Sequence, residues 1–270
     1  MTRATLVRLV AVMLALAAVI SVVMLQFDWF GPAASEERGP IDTLFDVMVV
    51  LSSFVFAIVL VMLAYAVWKF RAQPGDESDG EPIHGNTKLE IAWTLIPTVI
   101  VLFGAGYSWA VLNDVESKDA DRMPLGVTAQ QFKWTFEYPE VQIGEANGQP
   151  TYLTTDELHV PVDRQLDISL TALDVVHSFW VPEWGIKRDA VPAGGGGDEI
   201  DDEFVVTPDE EGSYSLVCTE LCGLGHATMR ANVVVESQTD FESWISDQRA
   251  AAQGAGGAPS GGSTSGDSGT

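Results

Sequence analysis

Three stretches of near-continuous hydrocarbon constrain this chain more than any other feature: LVRLVAVMLALAAVISVVML (6–25), TLFDVMVVLSSFVFAIVLVMLAYAVW (43–68) and IAWTLIPTVIVLFGAGYSWAVL (91–112). A helix needs about 20 apolar residues to cross a bilayer, and each stretch is close to that length or above it. Pro97 would break a soluble helix, whereas in a membrane neighbouring helices re-satisfy the freed backbone groups. The first stretch has two readings. It follows Arg3 and Arg8 and ends near GPAAS, as a signal peptide with a small-residue cleavage site does; its apolar run is long for that purpose and suits a retained helix.

Orientation follows from the basic residues. WKFRA (68–72) closes the second stretch and Lys88 precedes the third, so the loop 71–88 is expected on the cytoplasmic side. Everything after about residue 113 then lies outside, whether or not the first stretch is removed. The expected organisation is a signal peptide or first helix with linker (1–40), a transmembrane helical hairpin (41–113), an external domain (114–250) and a Gly/Ser tail (251–270).

Most of the formal charge of −24 belongs to the external part, where residues 113–250 include 27 acidic and 8 basic side chains. Repulsion excludes nucleic acid as a partner. The acids could dock a cationic electron donor or keep a protein soluble in high salt. Their scatter through DVESKDAD, DEIDDE and DEEG fits salt adaptation better than a patch. At molar salt a Debye length of about 3 Å cancels most steering.

After residue 113 the pattern changes to period two. Phe132, Trp134, Phe136 and Tyr138 share one parity, with Lys133, Thr135 and Glu137 on the other, which predicts a half-buried strand. LDISLTA (166–172), DEFVVTP (202–208), GSYSLVC (212–218) and MRANVVVES (229–237) are further short β runs, and together they predict a sandwich or barrel. TDFESWISDQRAA (239–251) predicts a terminal helix capped by Thr239 or Asp240.

Both cysteines fall within CTELCGLGHATM (218–229). Cys218, Cys222, His226 and Met229 are spaced like a helix stripe, but Gly223 and Gly225 together cost a helix about 2 kcal/mol and suit a folded-back loop. A disulfide closing so short a ring gains little and leaves His226 and Met229 unexplained. Zinc could take Cys218, Cys222, His226 and a further histidine, whereas the soft thioether of Met229 suits electron-transfer copper. A mononuclear blue-copper site uses one thiolate; two thiolates fit two bridged copper ions better. A second imidazole must then come from elsewhere. His84 lies on the cytoplasmic side, while His159 and His177 are external.

C-x-E-x-C-G-x-x-H-x-x-M, preceded by D-x-x-H-S-F (174–179) and K-x-D-x-x-P (187–192), resembles the binuclear copper A domain of cytochrome c oxidase subunit II. The resemblance extends over residues 41–250 through LEIAWTLIP (89–97) and QQFKWTFEYPE (130–140). It implies an α+β membrane protein: a helical hairpin, of two helices or three, followed by an external cupredoxin-like β-sandwich. By resemblance Cys218 and Cys222 bridge two coppers, His177 and His226 each complete one, Met229 is a weak ligand, and Glu220 offers its backbone carbonyl. The Glu220 side chain is expected at a magnesium ion against the catalytic subunit, and Glu90 at the cytoplasmic mouth of a proton channel or simply as a helix-end carboxylate.

The implied setting is the plasma membrane. Oxidase subunits I and III are the expected neighbours, haem lies on subunit I, and cytochrome c or a blue-copper protein is the donor. The family's electron-input tryptophan is replaced by Phe132, with Trp134 two residues on, and its PGR element by PAGGGG (192–197). Other classes sharing parts of this pattern are quinol oxidase subunit II, which has lost the copper ligands, and a membrane-anchored copper carrier.

Overall fold

The apolar stretches form helices α1 (Arg3–Met24), α2 (Arg38–Lys69) and α3 (Thr87–Val115) in the computed structural model, which describes residues 2–72, 74, 75, 80, 82, 84–192 and 202–255. The tail from 256, the PAGGGG stretch from 193 and several residues of the 71–88 loop lie outside the described residues. All three helices are long and apolar enough to cross a membrane. Val7, Leu63, Ile96 and Leu102 are exposed, a cost in water of about 25 cal/mol per Å² that hydrocarbon surroundings remove.

Within this helical unit α2 packs against both α1 and α3, and α3 runs through Pro97 as one element. The α3 start is capped reciprocally. Asn86 Oδ1 accepts from the Lys88 and Leu89 amides at 3.1 and 3.3 Å, and Glu90 Oε1 accepts from the Asn86 amide at 3.1 Å. This satisfies donors that a helix start leaves orphaned.

The second unit is a β-sandwich. One sheet contains β1 (Met123–Gln130), β2 (Lys133–Ala146), β3 (Gln149–Thr155), β5 (Leu166–Ala172) and β8 (Asp202–Val206), in the order β3-β2-β1-β5-β8. The other contains β4 (Leu158–Pro161), β6 (His177–Val181), β7 (Ile186–Ala190), β9 (Gly212–Cys218) and β10 (Arg230–Glu236), in the order β4-β10-β9-β6-β7. Alternate residues fill the space between them: Leu125 and Val127, Trp134 and Phe136, Ile168 and Leu170, Phe179 and Val181 are all buried. Each such side chain is worth about 1.5–3 kcal/mol when fully buried.

Phe132 departs from the expected strand parity. It lies in the turn before β2 and is 39 % exposed, while Trp134, Phe136 and Tyr138 are buried. The terminal helix, α4 (Gln238–Ala255), starts one residue earlier than expected and runs past 251. Its cap is Ser237, whose hydroxyl accepts from the Asp240 amide at 3.2 Å. Trp244 of α4 stacks on His159 with centroids 4.3 Å apart and packs beside Tyr138.

Ala34–Glu36, between α1 and α2 in sequence, belongs to the β unit. The Ala34 amide donates to Glu183 O, the Glu36 amide to Thr207 O, and the Ser35 hydroxyl to Trp184 O at 2.9 Å.

On β5, Asp167 accepts from Arg122 Nε at 2.5 Å and faces Lys118 Nζ at 3.1 Å. Burial by itself would raise this carboxyl, but the two cations and their hydrogen bonds outweigh it and hold it below the ordinary carboxylate range. A carboxyl depressed by folding stabilises the fold above its unfolded pKa of about 3.9, and that contribution is lost as pH falls through the folded value. Asp167→Asn is therefore expected to unfold at lower denaturant than the parent at neutral pH, with the gap closing below about pH 4. Paired denaturation curves across pH check this; a gap unchanged in acid would remove the charge from the explanation.

Candidate metal centre

Two strands of one sheet bring the first ligand pair together. His177 opens β6 and Cys218 closes β9, and these strands pair so that Phe179 faces Cys218. The Cys218 amide donates to Met229 O and the Thr219 amide to Ser178 O, both at 3.1 Å. The chain then turns back. Gly223 has φ of 134°, a conformation that a side chain makes costly, and a single 3₁₀ turn at His226–Thr228 delivers Met229. This is a loop and not a helix stripe.

The Cys218 and Cys222 sulfurs lie 3.8 Å apart and both thiols are free, well beyond the about 2.05 Å of a disulfide. Each sulfur has its own imidazole. His177 Nδ1 is 3.8 Å from Cys218 Sγ, and His226 Nδ1 is 3.6 Å from Cys222 Sγ. Met229 Sδ lies 3.8 Å from Cys222 Sγ, and the Glu220 carbonyl 3.3 Å from Cys218 Sγ. His177, Cys218, Cys222 and Met229 are buried, and the Glu220 side chain is exposed.

Two buried sulfurs this close disfavour ionisation of both. Burial, then the hydrogen bond and charge of Cys218, push the Cys222 thiol up to about 11. Two thiolates this close are tolerable only against positive charge, which a coordinated metal supplies. Sulfur, imidazole and thioether donors together match copper.

Behind His177 stands Asp174, whose Oδ1 accepts from His177 Nε2 at 2.9 Å. Burial alone would raise the Asp174 carboxyl, but hydrogen bonds from His177 and from the Gln131 and Val175 amides hold it down. With Nε2 donating, the Nδ1 lone pair faces Cys218, as ligand imidazoles are commonly oriented.

The other expected site residues fall as follows. Trp134 is buried beside His177, edge-on, with centroids 6.3 Å apart. Phe132 sits at the surface against the metal loop, and Glu90 lies in the helical unit as part of the α3 cap. His159 pairs with Glu236 and stacks on Trp244. Asp174 and Gln131 received no role from the sequence. Asp174 stood in the D-x-x-H motif, three residues before its histidine, while nothing in QQF singled out Gln131.

The family model for the transmembrane domain of cytochrome c oxidase subunit II matches residues 22–111, and that for its periplasmic domain matches residues 123–238. The chain belongs to the cytochrome c oxidase subunit II family. The cytochrome c oxidase subunit 2 of Synechocystis sp. is 28 % identical over 281 residues, covering 84 % of this chain and 79 % of that protein. That of Arabidopsis thaliana is 31 % identical over 229 residues, covering 78 % and 85 %. Among solved structures, the periplasmic domain of subunit II of cytochrome oxidase of Bradyrhizobium japonicum aligns at 24 % identity. Its TM-score is 0.39, and the match covers 50 % of this chain and 98 % of that one.

As a subunit II this chain is a membrane component of a haem–copper oxidase, an oxidoreductase complex, with its C-terminal domain outside. The match to the family's periplasmic domain and the His177, Cys218 and Cys222 donors, whose ligand atoms all lie within 4.8 Å of one another, support a copper A centre.

Proposed function

We propose that this subunit takes single electrons from cytochrome c or a small blue-copper protein outside the membrane and hands them to haem in oxidase subunit I, with subunit III alongside. Oxygen is reduced to water there and protons are pumped. The observation behind this reading is the pair of buried free thiols at 3.8 Å, each with its own imidazole. The two imidazoles are divided between the two sulfurs, His177 Nδ1 against Cys218 Sγ and His226 Nδ1 against Cys222 Sγ. Two bridged ions accommodate both imidazoles.

In this reading Cys218 and Cys222 would be shared by both coppers, His177 and His226 would each hold one of them, and Met229 and the Glu220 carbonyl would be weak donors. When bound, the copper pair supplies a one-electron site that changes charge with little rearrangement. Asp174 keeps the His177 ring oriented. Burial of His177, Cys218 and Met229 excludes water from one side, and exposed Phe132, Leu221 and Leu224 offer the donor an apolar rim. By family resemblance the exposed Glu220 carboxylate meets a magnesium ion at subunit I, and Glu90 stands at a proton-channel mouth.

The test is the copper content of the purified full chain together with its electron-spin spectrum. Two coppers sharing one unpaired electron are expected; one copper, or zinc, overturns the reading. Met229→Leu should keep both coppers and raise the potential, because loss of a thioether donor disfavours the oxidised state.

A further inference from the structure

The two ligand-bearing loops, 173–177 and 219–229, are joined by a residue that belongs to neither. Gln131 sits in the turn between β1 and β2, in the sheet opposite the one that contains His177 and Cys218. Its amide N–H donates to Asp174 Oδ2 at 2.7 Å, and Asp174 Oδ1 holds His177. Its side-chain Nε2 donates to the Cys222 carbonyl at 2.5 Å. The next residue, Phe132, lays its ring on the same loop. A Cβ added to Gly225 would lie 2.5 Å from the Phe132 ring, and one added to Gly223 would lie 2.9 Å from Gln131 Nε2. Close approach of this turn is what these two glycines allow.

The two cysteines differ in how they are held. Cys218 ends a strand and is fixed by the sheet, its amide bonded to Met229 O. Cys222 follows four residues later in a loop whose backbone bonds run largely within itself, such as the His226 amide to Gly223 O.

We propose that Gln131 is a positioning residue for the metal centre, its side-chain amide fixing the Cys222 backbone while its main-chain amide fixes the carboxylate behind His177. One turn thereby sets the second bridging sulfur relative to the first and orients the buried imidazole. The proposal rests on the copper-pair reading above. A side-chain substitution removes only the Cys222 arm, because the main-chain N–H to Asp174 remains.

The test uses the full chain in detergent, loaded with copper, with Gln131→Leu and Gln131→Glu, neither of which can donate to the carbonyl. Loss of one such hydrogen bond is expected to speed copper release to excess chelator about tenfold. The electron-spin hyperfine pattern should shift from equal towards unequal sharing between the two nuclei, while the unfolding midpoint of the metal-free chain stays at the parent value. A parent chain that binds no copper pair overturns the underlying reading and this proposal with it. If the parent holds the pair and both variants match its release rate and hyperfine pattern, only the role of Gln131 is overturned. That role is equally lost if the metal-free midpoints of the variants fall in proportion, which would make Gln131 a fold residue and not a positioning one.

Discussion

Cys222→Ser is expected to eliminate the shared-electron spectrum and to leave the chain with at most one copper. A serine hydroxyl stays protonated at neutral pH and is a hard donor, so it cannot replace a thiolate between two soft ions. The position is also central: the Cys222 sulfur is within 3.8 Å of Cys218 Sγ, His226 Nδ1 and Met229 Sδ at once. Removing a partner that merely supports a ligand costs metal affinity about 10–100-fold, and removing a ligand proposed to serve both ions should exceed that. The measurement is metal content with the electron-spin spectrum after membrane purification, beside the Met229→Leu chain, which is expected to keep both ions. A serine chain that still shows one electron spread over two nuclei would end the bridging assignment.

Phe179→Ala is expected to cost about 3–5 kcal/mol of stability, the range for truncating a buried aromatic. Phe179 is fully buried, with ring centroids of Trp134, Phe204 and Trp184 at 6.0, 5.6 and 6.4 Å. Such a loss consumes much of the about 5–15 kcal/mol that usually holds a domain. The consequence reaches the metal centre, because Phe179 lies two residues from His177 and faces Cys218 across the β6–β9 pairing. Loosening that pairing separates a buried imidazole from its sulfur. Denaturant unfolding followed by tryptophan emission should show a lower midpoint and weaker copper retention together. A loss under about 1 kcal/mol would mean that the surrounding rings collapse to fill the space.

The strongest periodic signals in the sequence are also the best-realised elements. The apolar stretches became α1, α2 and α3, and LDISLTA and GSYSLVC became β5 and β9 without a change of boundary. The donors Cys218, Cys222, His226 and Met229 were legible because soft side chains crowd one loop. Phe132 was misread as part of a strand because alternation continues through a turn that breaks the pairing. The β2–β3 hairpin was missed, although Asn147 and Gly148, both at positive φ, are the dipeptide such a turn favours. The role of Asp174 had a local signal, its place three residues before His177 in the D-x-x-H motif, whereas that of Gln131 was not legible at all. It arises where segments 91 residues apart meet, in the bond from Gln131 to Cys222, and no local pattern encodes such a meeting.

The clasp of Ala34–Glu36 on the sandwich bears on biosynthesis. Ser35 leaves the ribosome 149 residues before Trp184, whose carbonyl it binds. At the usual pace of translation that interval is roughly 7–30 s. Throughout it this segment has no place to dock, so the earliest-made residues of the outer domain are among the last to settle into it.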